Sequence, residues 1–275
     1  MVGYLSISKK YKIIDCKEIE NSFKDSEFKI VLANVEPIDM CQIPNGLLAL
    51  CNGNTFSLYD HNFEFIKIIT EINGKKVSAC NITTNYVDSI YYTDSSNDQI
   101  IMCDTNFNYK KSIGSKGVEK NQFREIRGIC YNKTNERLYT CDSGNNRIQV
   151  HSSKLELIKQ HILEFRPCEI SIIDHTACIR SFITFEKQLY FFSLPNFTLI
   201  STHAGYDHPV SVIHNAFYQF DVKNEILYCY NSNGTQIDKI ASNGVRNRIQ
   251  SNNDGKLLQF NNNLILSLHK YLAVI

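Results

Sequence analysis

The chain has 275 residues, a formal net charge of +1, no Trp and only 5 Pro, against 29 Asn, 16 Phe and 15 Tyr. This length accommodates one large all-β domain with a core that needs no staples. The charge balance excludes a global polyanion-binding signature, and the scarcity of Pro argues against disordered linkers.

The first 36 residues hold strand-like runs at 4–8, 11–14 and 28–32, with no apolar stretch of signal-peptide length after a basic start. No later segment offers 18 consecutive apolar residues, so no membrane span is expected and the chain reads as cytoplasmic. From residue 38 onward a repeat emerges. First strands fall at 38–41, 77–80, 127–130, 168–171, 210–213 and 248–251, roughly 40–50 residues apart, the range of four-stranded propeller blades. Each is followed by short alternating runs bounded by Asn, Asp and Gly, the residues that close tight turns. Residues 90–102, IYYTDSSNDQIIM, align without a gap on 138–150, LYTCDSGNNRIQV. Blade one keeps LALCNGN and TFSLY, whereas blades four and five carry TFEK and DVKN in the turn between their second and third strands.

About thirty residues follow Val245, too few for a full blade. The expectation is a single domain, 1–275: an all-β, six-bladed propeller of four-stranded antiparallel blades. Residues 1–36 complete the last blade with 246–275, so the N-terminal segment closes the ring and covers an edge that would otherwise template aggregation.

The clearest repeat unit runs from Gly114 to His151. Its Gly114, Gly117, Gln122-Phe123, Gly128-Ile129 and Asp142 through Val150 resemble the NHL repeat. The NHL domains of tripartite-motif proteins are non-catalytic recruitment modules. Some bind single-stranded RNA, and others proteins, on the face that carries the links between second and third strands and between blades. That resemblance implies an interaction platform here. Arg166-Pro167 matches the Arg-Pro that often opens a blade in those domains, and Glu125-Ile126 departs from it.

Ten Cys include pairs at Cys41/Cys51, Cys130/Cys141 and Cys168/Cys178, one per strand at a fixed blade phase. With no CxxC or CxxH spacing they read as core residues in a reducing compartment rather than zinc ligands. The sequons at Asn81, Asn132, Asn196 and Asn233 follow from Asn richness rather than glycosylation. Asp142, echoed by Asp94 and Asn52, reads as a turn carboxylate that accepts backbone N–H groups.

Two enzyme classes share related propellers. The peptide-amidating lyase places zinc-binding His near the starts of first strands, where this chain has Ile38, Ser78, Arg127, Cys168 and Val210. Gluconolactonase-like propellers hold a divalent cation in the channel. Asp39 and Glu169 occupy suitable first-strand positions, two acids where calcium takes six or more oxygens. The expectation is therefore a non-enzyme with no cofactor and no metal.

The candidate binding face carries Lys116, Arg124, Arg127, Arg147, Arg166, Arg246 and Arg248, with Lys75, Lys76 and Lys120 on the same links and Glu119 and Glu125 diluting them. Arg147 has two readings, a brace for its turn or an exposed anion ligand. The reading is a monomeric platform for a protein partner, with no DNA and no membrane. Single-stranded RNA on the same face is the alternative, and a channel-centred metal-dependent hydrolase or lyase of the gluconolactonase or amidating-lyase type is the rival class.

Overall fold

The structure is a computed structural model that describes residues 29–32, 38–181, 188–205, 210–213, 215–221, 224, 226–241, 256–260, 263–268 and 271–274. The chain divides into two compact units, Ile38–Gly205 and Met1–Pro37 with Tyr206–Ile275.

Within Ile38–Gly205 the chain lays down four antiparallel meanders of four strands, each one blade. The first is β2 (Asp39–Gln42), β3 (Leu48–Cys51), β4 (Phe56–Tyr59) and β5 (Phe65–Ile69). A small hairpin, β6 (Glu71–Ile72) and β7 (Lys75–Lys76), leads to the second blade: β8 (Ala79–Thr84), β9 (Ser89–Asp94), β10 (Gln99–Asp104) and β11 (Tyr109–Ile113). The third is β12 (Ile126–Asn132), β13 (Arg137–Asp142), β14 (Arg147–Ser152) and β15 (Leu157–Ile162). The fourth is β16 (Pro167–Ile173), β17 (Thr176–Ser181), β18 (Gln188–Ser193) and β19 (Thr198–Ala204). First strands lie side by side, β2 against β8, β8 against β12 and β12 against β16. The approach is tight at Gly128, where a Cβ would come within 2.7 Å of Glu169 Cα.

Side chains alternate across a strand, so each middle strand feeds two cores. On β9, Tyr92 packs into the cluster with Phe56, Leu58 and Phe107, while neighbouring Tyr91 packs into the next, with Phe123, Ile129 and Leu138. On β13, Leu138 joins that cluster and Tyr139 joins the following one, with Ile170 and Ile179. This two-sided burial leaves every residue of β9, and every residue of β13 after Arg137, buried.

Turn chemistry repeats with the blades. Between second and third strands a side-chain oxygen caps the turn: Asn52 accepts from the Thr55 N–H, Asp94 from the Asn97 N–H, and Asp221 from the Asn224 N–H. Between third and fourth strands, Asp60, Asp104 and Ser152 accept N–H bonds from residues two and four positions on. The residue three positions on is left-handed and buried: Phe63 (φ 63°), Phe107 (φ 66°) and Leu155 (φ 62°). This is the hairpin in which a type I turn is followed by a left-handed bulge residue. A left-handed non-Gly residue costs about 1–2 kcal/mol, and burying a Phe or Leu side chain offsets it with about 1.5–3 kcal/mol.

In the other unit, β20 (Val210–Ile213), β21 (Ala216–Asp221), β22 (Ile226–Asn231) and β23 (Gln236–Ala241) make a fifth meander. Among the described residues three strands follow: β24 (Lys256–Phe260), β25 (Asn263–Leu268) and β26 (Tyr271–Val274). Their sheet takes β1 (Lys29–Leu32) as an antiparallel neighbour of β26, with Lys29 opposite Val274 and Leu32 opposite Tyr271. The chain thus folds as an all-β propeller of four-stranded antiparallel blades. Where six blades are expected, the described residues form five consecutive four-stranded ones. The expected sixth first strand, 248–251, lies outside the described residues.

No disulfide joins the nine described cysteines. Cys51, Cys103, Cys141, Cys168, Cys178 and Cys229 are buried. Cys41, Cys80 and Cys130, expected in the core with them, are half-buried on first strands, whereas Cys168 on first strand β16 is buried. No helix among the described residues is long and apolar enough to cross a membrane.

Candidate functional site

The link between β11 and β12, residues 114–125, is built rather than loose. It doubles back on itself: the Gly117 N–H donates to the Phe123 carbonyl at 2.9 Å, and the Phe123 N–H to the Ser115 carbonyl at 2.9 Å. Phe123 is fully buried in the core between the second and third blades.

The rest of the anchorage comes from alternate residues of β14, which present one face to the link. Arg147 donates from Nη1 to the Val118 carbonyl at 2.7 Å, and from Nη2 to the Glu119 and Gln122 carbonyls at 2.9 and 2.8 Å. Its Nε meets Asp142 Oδ2 at 2.6 Å. Gln149 donates to the Gln122 carbonyl at 2.6 Å, and His151 Nε2 lies 3.2 Å from Asn121 Oδ1.

Asp142 is the hub. Fully buried, it accepts from the Arg124 N–H at 2.8 Å and from Asn145 Nδ2 at 2.9 Å, besides Arg147 and Gln149. A buried carboxylate is tolerable only when paired and hydrogen-bonded. The β13–β14 turn, with a 3₁₀ segment at Ser143–Asn145, brings Gly144 against Arg124. A Cβ on Gly144 would meet Arg124 Cγ at 2.7 Å, and the Gly144 N–H bonds the Arg124 carbonyl at 2.7 Å.

With its inner side bound in this way, the link turns Lys116, Lys120 and Arg124 outward, together with Val118, which is 60% exposed. Glu119 and Glu125 share that outer side. Glu125 forms an ion pair with Arg166, which precedes β16. Arg127 is half-buried on β12. Arg147, at 5% exposure, is the brace of its two readings and not an exposed anion ligand, because its guanidinium is engaged inside the blade. Arg246 and Arg248 lie outside the described residues.

Asp39 and Glu169, the candidate channel acids, are engaged in the scaffold. Buried Asp39 accepts from the Met40 and Ile82 N–H groups at 2.7 and 2.9 Å and from Asn81 Nδ2 at 3.1 Å, tying the first blade to the second. Glu169 is paired with Arg180 at 3.2 Å. Among the described residues no three His, Cys, Asp or Glu side chains converge as a metal site.

Asn121 and His151 had no assigned role in the sequence reading, and Gln122 and Gln149 entered it only as positions of the repeat. Their signal was Arg-x-Gln-x-His at 147–151, polar residues on every second position of a strand that is otherwise Ile and Val.

Among known proteins, the NHL repeat family matches residues 123–150, the segment from Phe123 through the Asp142–Arg147 turn. No curated protein matches the sequence. Solved structures share the fold at low identity. The hydrazine synthase of Kuenenia stuttgartiensis is 12% identical over 72% of this chain, TM-score 0.51, and the chain spans 56% of that protein's length. A chain from a nidogen/laminin complex is 13% identical over 76% of this chain and 80% of its own, TM-score 0.56. The Cps50 (Swd1) β-propeller domain of Myceliophteria thermophila is 8% identical over 90% of this chain and 99% of its own, TM-score 0.57.

His151 gives the anchorage a pH dependence. Burial pulls its pKa down from 6.5 to about 4. The unfolded chain therefore takes up the proton first as pH falls, so stability is complete above about pH 6.5 and declines between there and about pH 4. The loss attributable to this group is about 3 kcal/mol at the acid end. Half-buried His161, also pulled down to about 4, adds in the same direction. Urea unfolding across this range should show a shallower pH slope for His151→Gln than for the parent chain. Equal slopes would contradict the assignment.

Proposed function

We propose that the chain is a non-catalytic interaction platform that receives a protein partner on the outer side of the 114–125 link. One observation carries this reading: a pinned, preorganised backbone displaying Lys116, Lys120, Arg124 and exposed Val118. Preorganised surface binds without the ordering cost that a mobile loop would incur. Asp39, Asp142 and Glu169, the acids best placed for chemistry, serve the scaffold. A protein is favoured over RNA because Glu119 and Glu125 break the cationic run, Arg166 is ion-paired and Arg147 is internal. A structure of this fold comes from a nidogen/laminin complex.

The test is capture from native lysate by the full chain and by Lys116→Glu/Arg124→Glu, with and without nuclease. The reading predicts partners that survive nuclease and disappear with the double variant. Capture abolished by nuclease would move the assignment to RNA, and capture unchanged in the variant would remove this face from consideration.

We further propose that the sheet of β24–β26 and β1 serves as the last blade, with β1 as its outer strand closing the ring. Deleting residues 1–36 would then bare the β26 edge and cause association. A monomeric deletion with unchanged melting would sink the closure.

A further inference from the structure

Between the outer strands of the second and third blades runs an open groove of about 820 Å³, which also takes in Lys120 and Asn121 of the 114–125 link. β11 and β15 are the last strands of their sheets, so each has one unpaired backbone edge. Apolar lining comes from Ile113, Leu157 and Ile158, the last 45% exposed. Three exposed lysines, Lys111, Lys120 and Lys159, line the same groove against one carboxylate, Glu156.

The walls are fixed. Lys111 Nζ donates to the Lys154 carbonyl at 2.9 Å, bridging the two blades. Gln160 donates to Gln149 Oε1 at 3.1 Å, and Gln149 holds the Gln122 carbonyl of the link. Asn121, which also lines the groove, is the residue held by buried His151.

We infer that this groove is a docking site for an extended acidic peptide segment that adds itself to the β15 edge. A free edge supplies main-chain pairing, and pockets for alternate side chains supply selectivity. Here the alternation is built in: Ile158 and Lys159 are adjacent, so an added strand meets apolar surface on one face and ammonium on the other. Lysine in an edge strand discourages indiscriminate pairing. A second copy of β15 would set Lys159 against lysine, whereas a strand bearing Glu or Asp would be attracted. No aromatic side chain lines the groove, so nothing there stacks a nucleic-acid base. The groove shares Lys120 with the platform face described above, and Lys116 and Arg124, which do not line it, distinguish the two.

The experiment uses the full chain and a short fluorescein-labelled peptide alternating Leu and Glu, with its Leu-Lys counterpart and oligouridine as comparisons. Saturable binding of the acidic peptide is expected, weakened by salt and absent for the Leu-Lys peptide. Lys159→Glu should weaken it about tenfold, two exposed charge contacts' worth, and let the Leu-Lys peptide bind instead. Ile158→Ser should weaken binding without changing the charge preference, and Lys116→Glu/Arg124→Glu should leave it intact. The proposal is overturned if the acidic peptide does not bind saturably or if both peptides bind alike. It also falls if Lys159→Glu has no effect, if oligouridine displaces the peptide, or if the Lys116→Glu/Arg124→Glu variant abolishes binding.

Discussion

The buried ion pair between Asp142 and Arg147 is the joint on which the third blade and its entering link depend. Taking both charges out of water is costly, and the attraction between them compensates only when the remaining donors and acceptors are met. Arg147 meets that condition with three carbonyls of the link, and Asp142 with the Arg124 N–H and the side chains of Asn145 and Gln149. Link and blade therefore stabilise one another: the link's carbonyls satisfy the guanidinium, and the guanidinium fixes the link. The lysines displayed outside inherit their positions from this interior arrangement.

Other blades solve the same turn more simply. The second pairs Asp94 with Gln99 in the register that pairs Asp142 with Arg147 in the third. Gln99 donates to the Gly114 carbonyl at 3.1 Å, a single neutral bond where Arg147 makes three charged ones. Asn52 with Thr55, and Asp221 with Asn224, make the same cap. The cap recurs in the first, second and fifth blades, and in the third Asp142 is turned to the link and to Arg147 instead.

The blade periodicity was legible because each strand's side chains alternate between two cores, and each hairpin needs a residue able to cap it. Asn, Asp and Ser mark those caps directly in the sequence. The β20 strand falls where spacing alone places it, at Val210–Ile213. The candidate site was less legible. A run of cations such as Lys116, Arg124, Arg127, Arg147 and Arg166 has the same appearance whether the side chains face water or a ring of carbonyls. Only the fold separates Arg147, held inside, from Arg124, turned out. Half-buried Cys130 and buried Cys141 pose the same difficulty, since their phases differ only by which strand of the blade they occupy.

The central claim is that the 114–125 link is a fixed part of the blade. Native-state amide hydrogen exchange at Gly117, Phe123 and Arg124 tests it most directly, because those N–H groups bond to Phe123, Ser115 and Asp142. Tied amides should exchange only through openings as costly as those of the β13–β14 ladder, with free energies near that of global unfolding. In Arg147→Met the three should exchange far faster, while the β13–β14 amides stay slow. Fast exchange of all three in the parent chain, at opening free energies near zero, would contradict the account.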